Sequence, residues 1–215
     1  MRAPKIELTA YGSNPKDTTK LLLDVDLVTL FSTGHVVADS VQDVTVVRIG
    51  THFEEQGKSA IRWDPGVVGK SMMTSPLIGV PPENIKRFDD VLVSNNVLIF
   101  GYPTSIGLKI LPQLDYARPL LRAGIVAGKN ETNRTLVIDC PAYQGNSGGP
   151  VLEIEEDFPN RYFRVIGLVS QFVPFAERWK NETHGYTNLT LSNSGYTIVV
   201  PMDAVLSIVA RMEKQ

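Results

Sequence analysis

The chain has 215 residues, 43% of them hydrophobic and 20% charged, with a net charge of −2 and a pI near 5.9. That is ordinary globular composition, enough for a sizeable core in one or two domains, and it lacks the basic excess that a nucleic-acid or anionic-membrane partner requires. A single cysteine, Cys140, excludes an intrachain disulfide and fits a reducing compartment. The opening "MRAPKIELTAYGSNPKD" has no apolar signal region, and no apolar run reaches the ~18 residues of a membrane helix. The expectation is a cytoplasmic protein with no membrane or nucleic-acid partner. Four N-x-[ST] sequons, at Asn130, Asn133, Asn181 and Asn188, read as chance matches in polar loops.

Gly and Pro punctuate short apolar runs, as in an all-β chain with tight turns. In chain order, "KIELTAY" (5–11), "KLLLDVDLVTLF" (20–31) and "VTVVRIG" (44–50) are predicted strands. Residues 51–90 are mixed, with a short strand at "SAIRW", a turn at "WDPG" and a short helix at "PPENIKRFDD". "VLIF" (97–100) ends at the turn "GYPTS", and "PLLRAGIVAG" (119–128) and "RTLVIDC" (134–140) follow. After the loop with "YQGNSGGP" come "PVLEIE" (150–155), "YFRVIGLVSQF" (162–172) and "YTIVV" (196–200). Those six later strands suffice for one small closed barrel. The tail "PMDAVLSIVARMEKQ" reads as a helix, with Pro201 in its first turn and Ala204, Val205, Ile208, Val209 and Met212 as its apolar stripe. The expected organisation is 1–90 for an incomplete N-terminal barrel and linker, 91–200 for the C-terminal barrel and 201–215 for the helix.

The strongest chemical signal is "GNSGGP", Gly145 to Pro150. A nucleophilic serine needs a base for its proton and N–H groups for the oxyanion. A glycine two positions before Ser147 lets the N–H groups of Gly145 and Ser147 converge. The same letters fit G-x-S-x-G, the nucleophile elbow, but that motif opens a helix, and "GGPVLEIE" starts a strand instead. A Gly-rich turn without function is the bland alternative.

In this context the chain resembles the chymotrypsin/trypsin superfamily and, within it, bacterial trypsin-like peptidase domains. The matching pieces are "LIFGYPTS", "RAGIVAG", "LVIDCPAYQGNSGGPVLEI", "VIGLVSQF" and "YTIVVPMDAVL", in family order. The likeness covers residues 91 to 208 well and 5 to 50 more loosely. It implies a chymotrypsin-like double antiparallel β-barrel, with Ser147 as nucleophile and Gly145 and Ser147 as oxyanion hole. Leu168, Val169 and Ser170 would lie on the strand that pairs with substrate. Asn146 stands where secreted trypsins carry an acid, so activation by a freed N-terminus is not expected. Pro141 would lie near the specificity pocket, with no acid to select Arg or Lys. Neither metal nor organic cofactor is implied; the partner is a protein or peptide substrate.

The base and the acid are less direct. His35 in "STGHVV" and Asp43 in "DVTVV" both look like triad members, but only eight positions separate them. The family places two strands and three connections between its His and Asp, which takes roughly 25–30 residues. Hence both cannot hold family positions. One reading takes His35 as the base, with Asp64, Asp89 or Asp90 as the acid, although Asp64 fits a turn residue and the other two a helix end. The reading favoured by strand count takes Asp43 as the acid, with the true base upstream of Met1 and His35 near the acid without being the base. A degenerate site is the third option. His52 and His184 read as surface residues. The expected function is a serine endopeptidase working through a Ser147 acyl-enzyme. Its rival is an inactive peptidase-like module that grips an extended peptide along "GLVSQF".

Overall fold

A computed structural model describes residues 5–11, 19–55, 58–71, 79–102, 111, 113–114 and 118–214. Two compact units divide the chain: Met1–Val80 with Val205–Gln215, and Pro81–Ala204.

The first unit contains β1 (Lys5–Tyr11), β2 (Lys20–Asp26), α1 (Leu27–Ser32), β3 (Val36–Asp39), β4 (Val44–Val47), β5 (Gly50–Glu55), β6 (Lys58–Trp63) and β7 (Val67–Gly69). Its described strands form a three-stranded sheet, β1-β2-β7, and two hairpins, β3-β4 and β5-β6. Alternation on β2 buries Leu21, Leu23 and Val25, which cluster with Leu30 of α1 and Val67 of β7. Trp63 packs against this cluster.

Two expectations change here. The segment 20–31 is not one strand, because the Asp26 carboxylate accepts from the N–H groups of Val28 (3.1 Å) and Thr29 (3.2 Å). That N-cap satisfies two donors and starts a helix, overriding the strand propensity of the residues that follow. Among the described residues, seven short strands also stand where three or four were expected. Of the additional ones, β3 and β5 belong to tight hairpins with little burial, and β7 is a three-residue strand that adds only Val67 to the core, so their apolar alternation is weak.

The second unit opens with two 3-10 turns, Pro82–Asn84 and Phe88–Asp90, in place of the expected short helix. Six strands follow: β8 (Asn96–Gly101), β9 (Leu120–Asn130), β10 (Thr135–Asp139), β11 (Pro150–Asp157), β12 (Asn160–Asn181) and β13 (Tyr186–Pro201). Each pairs antiparallel with two neighbours, so the order β10-β13-β12-β11-β8-β9 closes into the expected barrel. Val97, Ile99, Val126, Leu136, Ile138, Val151, Ile166 and Val199 fill it. Beyond Tyr102, the turn expected at "GYPTS" lies outside the described residues. The helix α2 (Met202–Met212) begins one residue after Pro201, and its Ala204, Ile208 and Met212 are buried.

The 3-10 segment is pinned to the barrel by a buried acid. Glu153 on β11 is fully buried and accepts from Lys86 Nζ (2.8 Å), Asn95 Nδ2 (2.6 Å) and the Leu92 N–H (3.3 Å). Lys86 also pairs with Glu155. Burial works against the Lys86 charge, but Glu153 and Glu155 outweigh it and hold the ammonium above the ordinary lysine range.

Beyond the barrel wall, β12 and β13 run on together as a two-stranded ribbon, from Pro174 opposite Asn193 to Asn181 opposite Tyr186. The sequence predicted strands only at 162–172 and 196–200. The ribbon was hidden because its side chains are exposed, so burial imposes no alternation on them. The sequons at Asn181 and Asn188 lie on it, and His184 lies in its terminal turn.

Candidate active site

The Gly145–Pro150 loop connects the end of β10 to β11. Gly145 has φ 92° and Gly148 φ 77°, a region that side chains with a Cβ avoid. At Gly149 a Cβ would stand 2.0 Å from the Phe100 carbonyl oxygen, so backbone contact alone demands glycine. Asn146 is buried and works as a brace. Its N–H donates to the Tyr143 carbonyl (2.9 Å), and its Oδ1 accepts from the Tyr143 N–H (3.2 Å). A Cβ on Gly101 would collide with its amide. The sequence read Asn146 as the absence of an activation acid; its observed task is to fix the loop.

With Asn146 held inside, Ser147 is exposed at the loop crest. Its hydroxyl donates to the Ser170 carbonyl at 3.0 Å. Among the described residues, the Gly145 and Ser147 N–H groups donate to no backbone carbonyl. Gly148 N–H donates to the Val169 carbonyl (2.8 Å), and Val169 N–H to the Gly149 carbonyl (2.9 Å). The loop is thereby laced to β12 beside Leu168, Val169 and Ser170, the three residues expected to meet substrate. A cavity of about 370 Å³ adjoins Ser147, lined by Phe100, Gly101, Tyr102, Pro119 and the loop itself. Pro141 is half-buried. Its neighbour Ala142 accepts from Asn193 Nδ2 (2.6 Å).

In the first unit, His35 and Asp43 lie at opposite ends of the β3-β4 hairpin. Asp43 sits in the turn with φ 53°. His35 precedes β3 and its carbonyl accepts from the Arg48 N–H (2.8 Å), beyond the Val36–Val47 pair. Strand geometry separates the two residues by roughly 15 Å. The carboxylate beside His35 is Asp64, with Oδ2 3.9 Å from Nδ1. Asp64 is also the turn residue expected in "WDPG", its carbonyl accepting from the Val67 N–H (3.0 Å). Asp89 instead forms a two-pronged ion pair with Arg134 on the second unit, and that pairing holds its carboxyl below the usual range.

A residue that the sequence did not mark is Arg48. Its Nε donates to Asp64 Oδ2 (2.8 Å), and its Nη2 contacts His35 Nε2. A guanidinium only donates, so Nε2 is the acceptor nitrogen and the proton sits on Nδ1, towards Asp64 and the Thr33 hydroxyl (3.1 Å). That is the tautomer of a general base, with its lone pair covered. No sequence signal singles out an arginine at a strand end.

A family model described as "Trypsin-like peptidase domain" matches residues 22–158, a span that includes both His35 and Ser147. No curated protein matches the sequence. Among solved structures the chain is similar to a point variant of the HtrA-type protease AlgW with a decapeptide. That match has 14% identity and a TM-score of 0.40, over 97% of this chain and 50% of the other. It is also similar to AlgW with a tripeptide, at 14% identity, TM-score 0.38, 97% and 60%. AlgW with a decapeptide matches at 13% identity, TM-score 0.39, 98% and 63%. The chain thus spans half to somewhat under two thirds of those structures. Among the described residues, no helix is long and apolar enough to cross a membrane.

Proposed function

The chain belongs to the trypsin-like peptidase domain family, and on that footing we propose that it is a serine endopeptidase working through a Ser147 acyl-enzyme. The observation that carries the proposal is the Gly145–Ser147 crest: an exposed hydroxyl flanked by two backbone N–H groups that no backbone carbonyl takes among the described residues. Ser147 Oγ attacks the peptide carbonyl as its proton passes to a base. The carbonyl oxygen, now an oxyanion, accepts from the Gly145 and Ser147 N–H groups. The protonated base then gives its proton to the leaving amine. Water releases the acid by the same steps in reverse.

We assign the base to His35, oriented by Asp64. The base tautomer and the neighbouring carboxylate support this pairing over one with Asp43. The chemistry uses no metal or organic cofactor, and the substrate is a protein or peptide.

A second reading, a peptide-binding module without turnover, draws on two contacts. The His35 Nε2 lone pair is engaged by Arg48, and the Ser147 hydroxyl by the Ser170 carbonyl. A fluorophosphonate probe separates the two readings. Labelling of the wild-type chain that vanishes in Ser147→Ala, with casein cleavage falling by about 10³-fold or more, supports the enzyme. Peptide binding without labelling supports the module.

A further inference from the structure

The ribbon is an unusual object for a chain of this size. Two strands alone are marginal in water, yet this pair exposes apolar groups on both faces. Paired residues share a face, so Phe175 and Trp179 project together on one side, and Leu189 and Leu191 on the other. Their exposures are 53%, 65%, 54% and 63%. Isolated exposed apolar residues are ordinary; four on one projecting ribbon call for a partner.

The position of the free edge points to which partner. β11 pairs with β12 only as far as Leu168. The last rungs on that side are made by the serine loop, between Gly148, Gly149 and Val169. Among the described residues, the ladder pairs of β12 from Gln171 to Asn181 are with β13 alone. The edge that begins beside the Ser147–Ser170 contact therefore continues along the ribbon, and its last eight residues, Pro174–Asn181, span roughly 26 Å. Two register shifts, at Val169/Gln171 and Phe172/Pro174, interrupt it, and Pro174 offers no N–H. Such features discourage indiscriminate edge pairing and leave the run beyond Pro174 available.

We propose that the edge of β12 from Pro174 to Asn181, unpaired among the described residues, is a docking track for an extended polypeptide, which joins it antiparallel by strand addition, upstream of the bond presented to Ser147 and beyond the residues the family resemblance already assigns to substrate. Every ladder of the barrel is antiparallel, so the residues before the cleaved bond run outward towards Asn181. Backbone pairing supplies sequence-tolerant affinity, and alternate apolar side chains pack on Phe175 and Trp179. The occupant is thus an unstructured chain of about ten residues or more with apolar residues at alternate positions. The placement of the cleaved bond rests on the serine peptidase reading; the track itself does not.

The test measures binding to the full Ser147→Ala chain by fluorescence anisotropy. Two fluorescein-labelled peptides share their last four residues, and the longer adds eight residues of alternating Leu and Thr. The twelve-residue peptide is expected to bind at least tenfold tighter than the four-residue one. The double variant Phe175→Ala/Trp179→Ala should remove that gain and leave the short peptide unchanged. Both side chains are exposed, and circular dichroism verifies the fold. No gain with length, or a gain that survives the double variant, overturns the proposal. So does a dimer in sedimentation velocity that the double variant dissolves while length has no effect, since a second copy is then the occupant. Fluorophosphonate labelling of the wild-type chain runs in parallel. A length gain without labelling removes the peptidase reading and keeps the track; labelling without a length gain does the reverse.

Discussion

At the scale of single residues, two aspartates compete for one role. Asp43 introduces a β-type run, the sequence pattern expected of a triad acid, but its φ of 53° places it in a hairpin turn. Asp64 has the less suggestive sequence context and the better neighbour, His35 at 3.9 Å. Asp64→Asn is expected to lower kcat/KM by about 10²-fold or more, because the imidazolium loses its carboxylate. Asp43→Gly should stay within about twofold, since glycine accepts positive φ readily. The reverse ranking in a peptide-hydrolysis assay would return the acid to Asp43. The serine loop and the strand beside it, on which the proposed chemistry rests, can be marked in the sequence because one contiguous loop and one strand carry them. The sequence offered Asp64 only as one of three acids for His35, because their contact depends on the fold bringing together residues that nothing in the local pattern connects.

Among the elements, the linker clasp on β11 offers the sharpest energetics. Removing one partner of a buried charge pair leaves the other uncompensated, at about 3–5 kcal/mol. Glu153→Ala should therefore cost about that much in urea unfolding, whereas the joint change Lys86→Met/Glu153→Leu should recover most of it. Acid should loosen the same clasp. A hydrogen bond from Lys86, followed by one from Arg164, holds the Glu155 carboxyl below its ordinary 4.5. A depressed carboxyl contributes its stability fully above that ordinary value and loses it as pH falls through the folded one. Melting temperature should thus fall below about pH 4.5, and Glu155→Gln should flatten that slope. Lys86 mirrors this: its contribution is complete below 10.5 and is lost as pH rises past its raised value. The barrel strands could be predicted because burial forces apolar residues to recur. The hairpin strands β3 and β5 and the outer ribbon could not, because their faces largely meet water.

For the whole molecule, the two units differ in how their backbone groups are satisfied. The second closes its sheet, and every strand there has two neighbours. The first consists of a three-stranded sheet and two hairpins, whose outer edges have no strand partner among the described residues. Hydrogen exchange should therefore be slowest at Ile99, Val126, Ile138 and Val199, and at least tenfold faster on β3 through β6. Comparable protection in both units would contradict the difference. Cys140 gives a chemical check on the barrel. It is 1% exposed, and burial raises its thiol above the ordinary range. Ellman's reagent should leave it unmodified until denaturant opens the second unit. The placement of the two tryptophans adds an optical consequence. Trp63 packs against the core of the first unit, and Trp179 stands 65% exposed on the ribbon of the second. Iodide should quench the red-shifted emission of Trp179 and spare much of Trp63. A single fluorescence spectrum then resolves into two reporters, one for unfolding of the first unit and one for whatever settles on the ribbon.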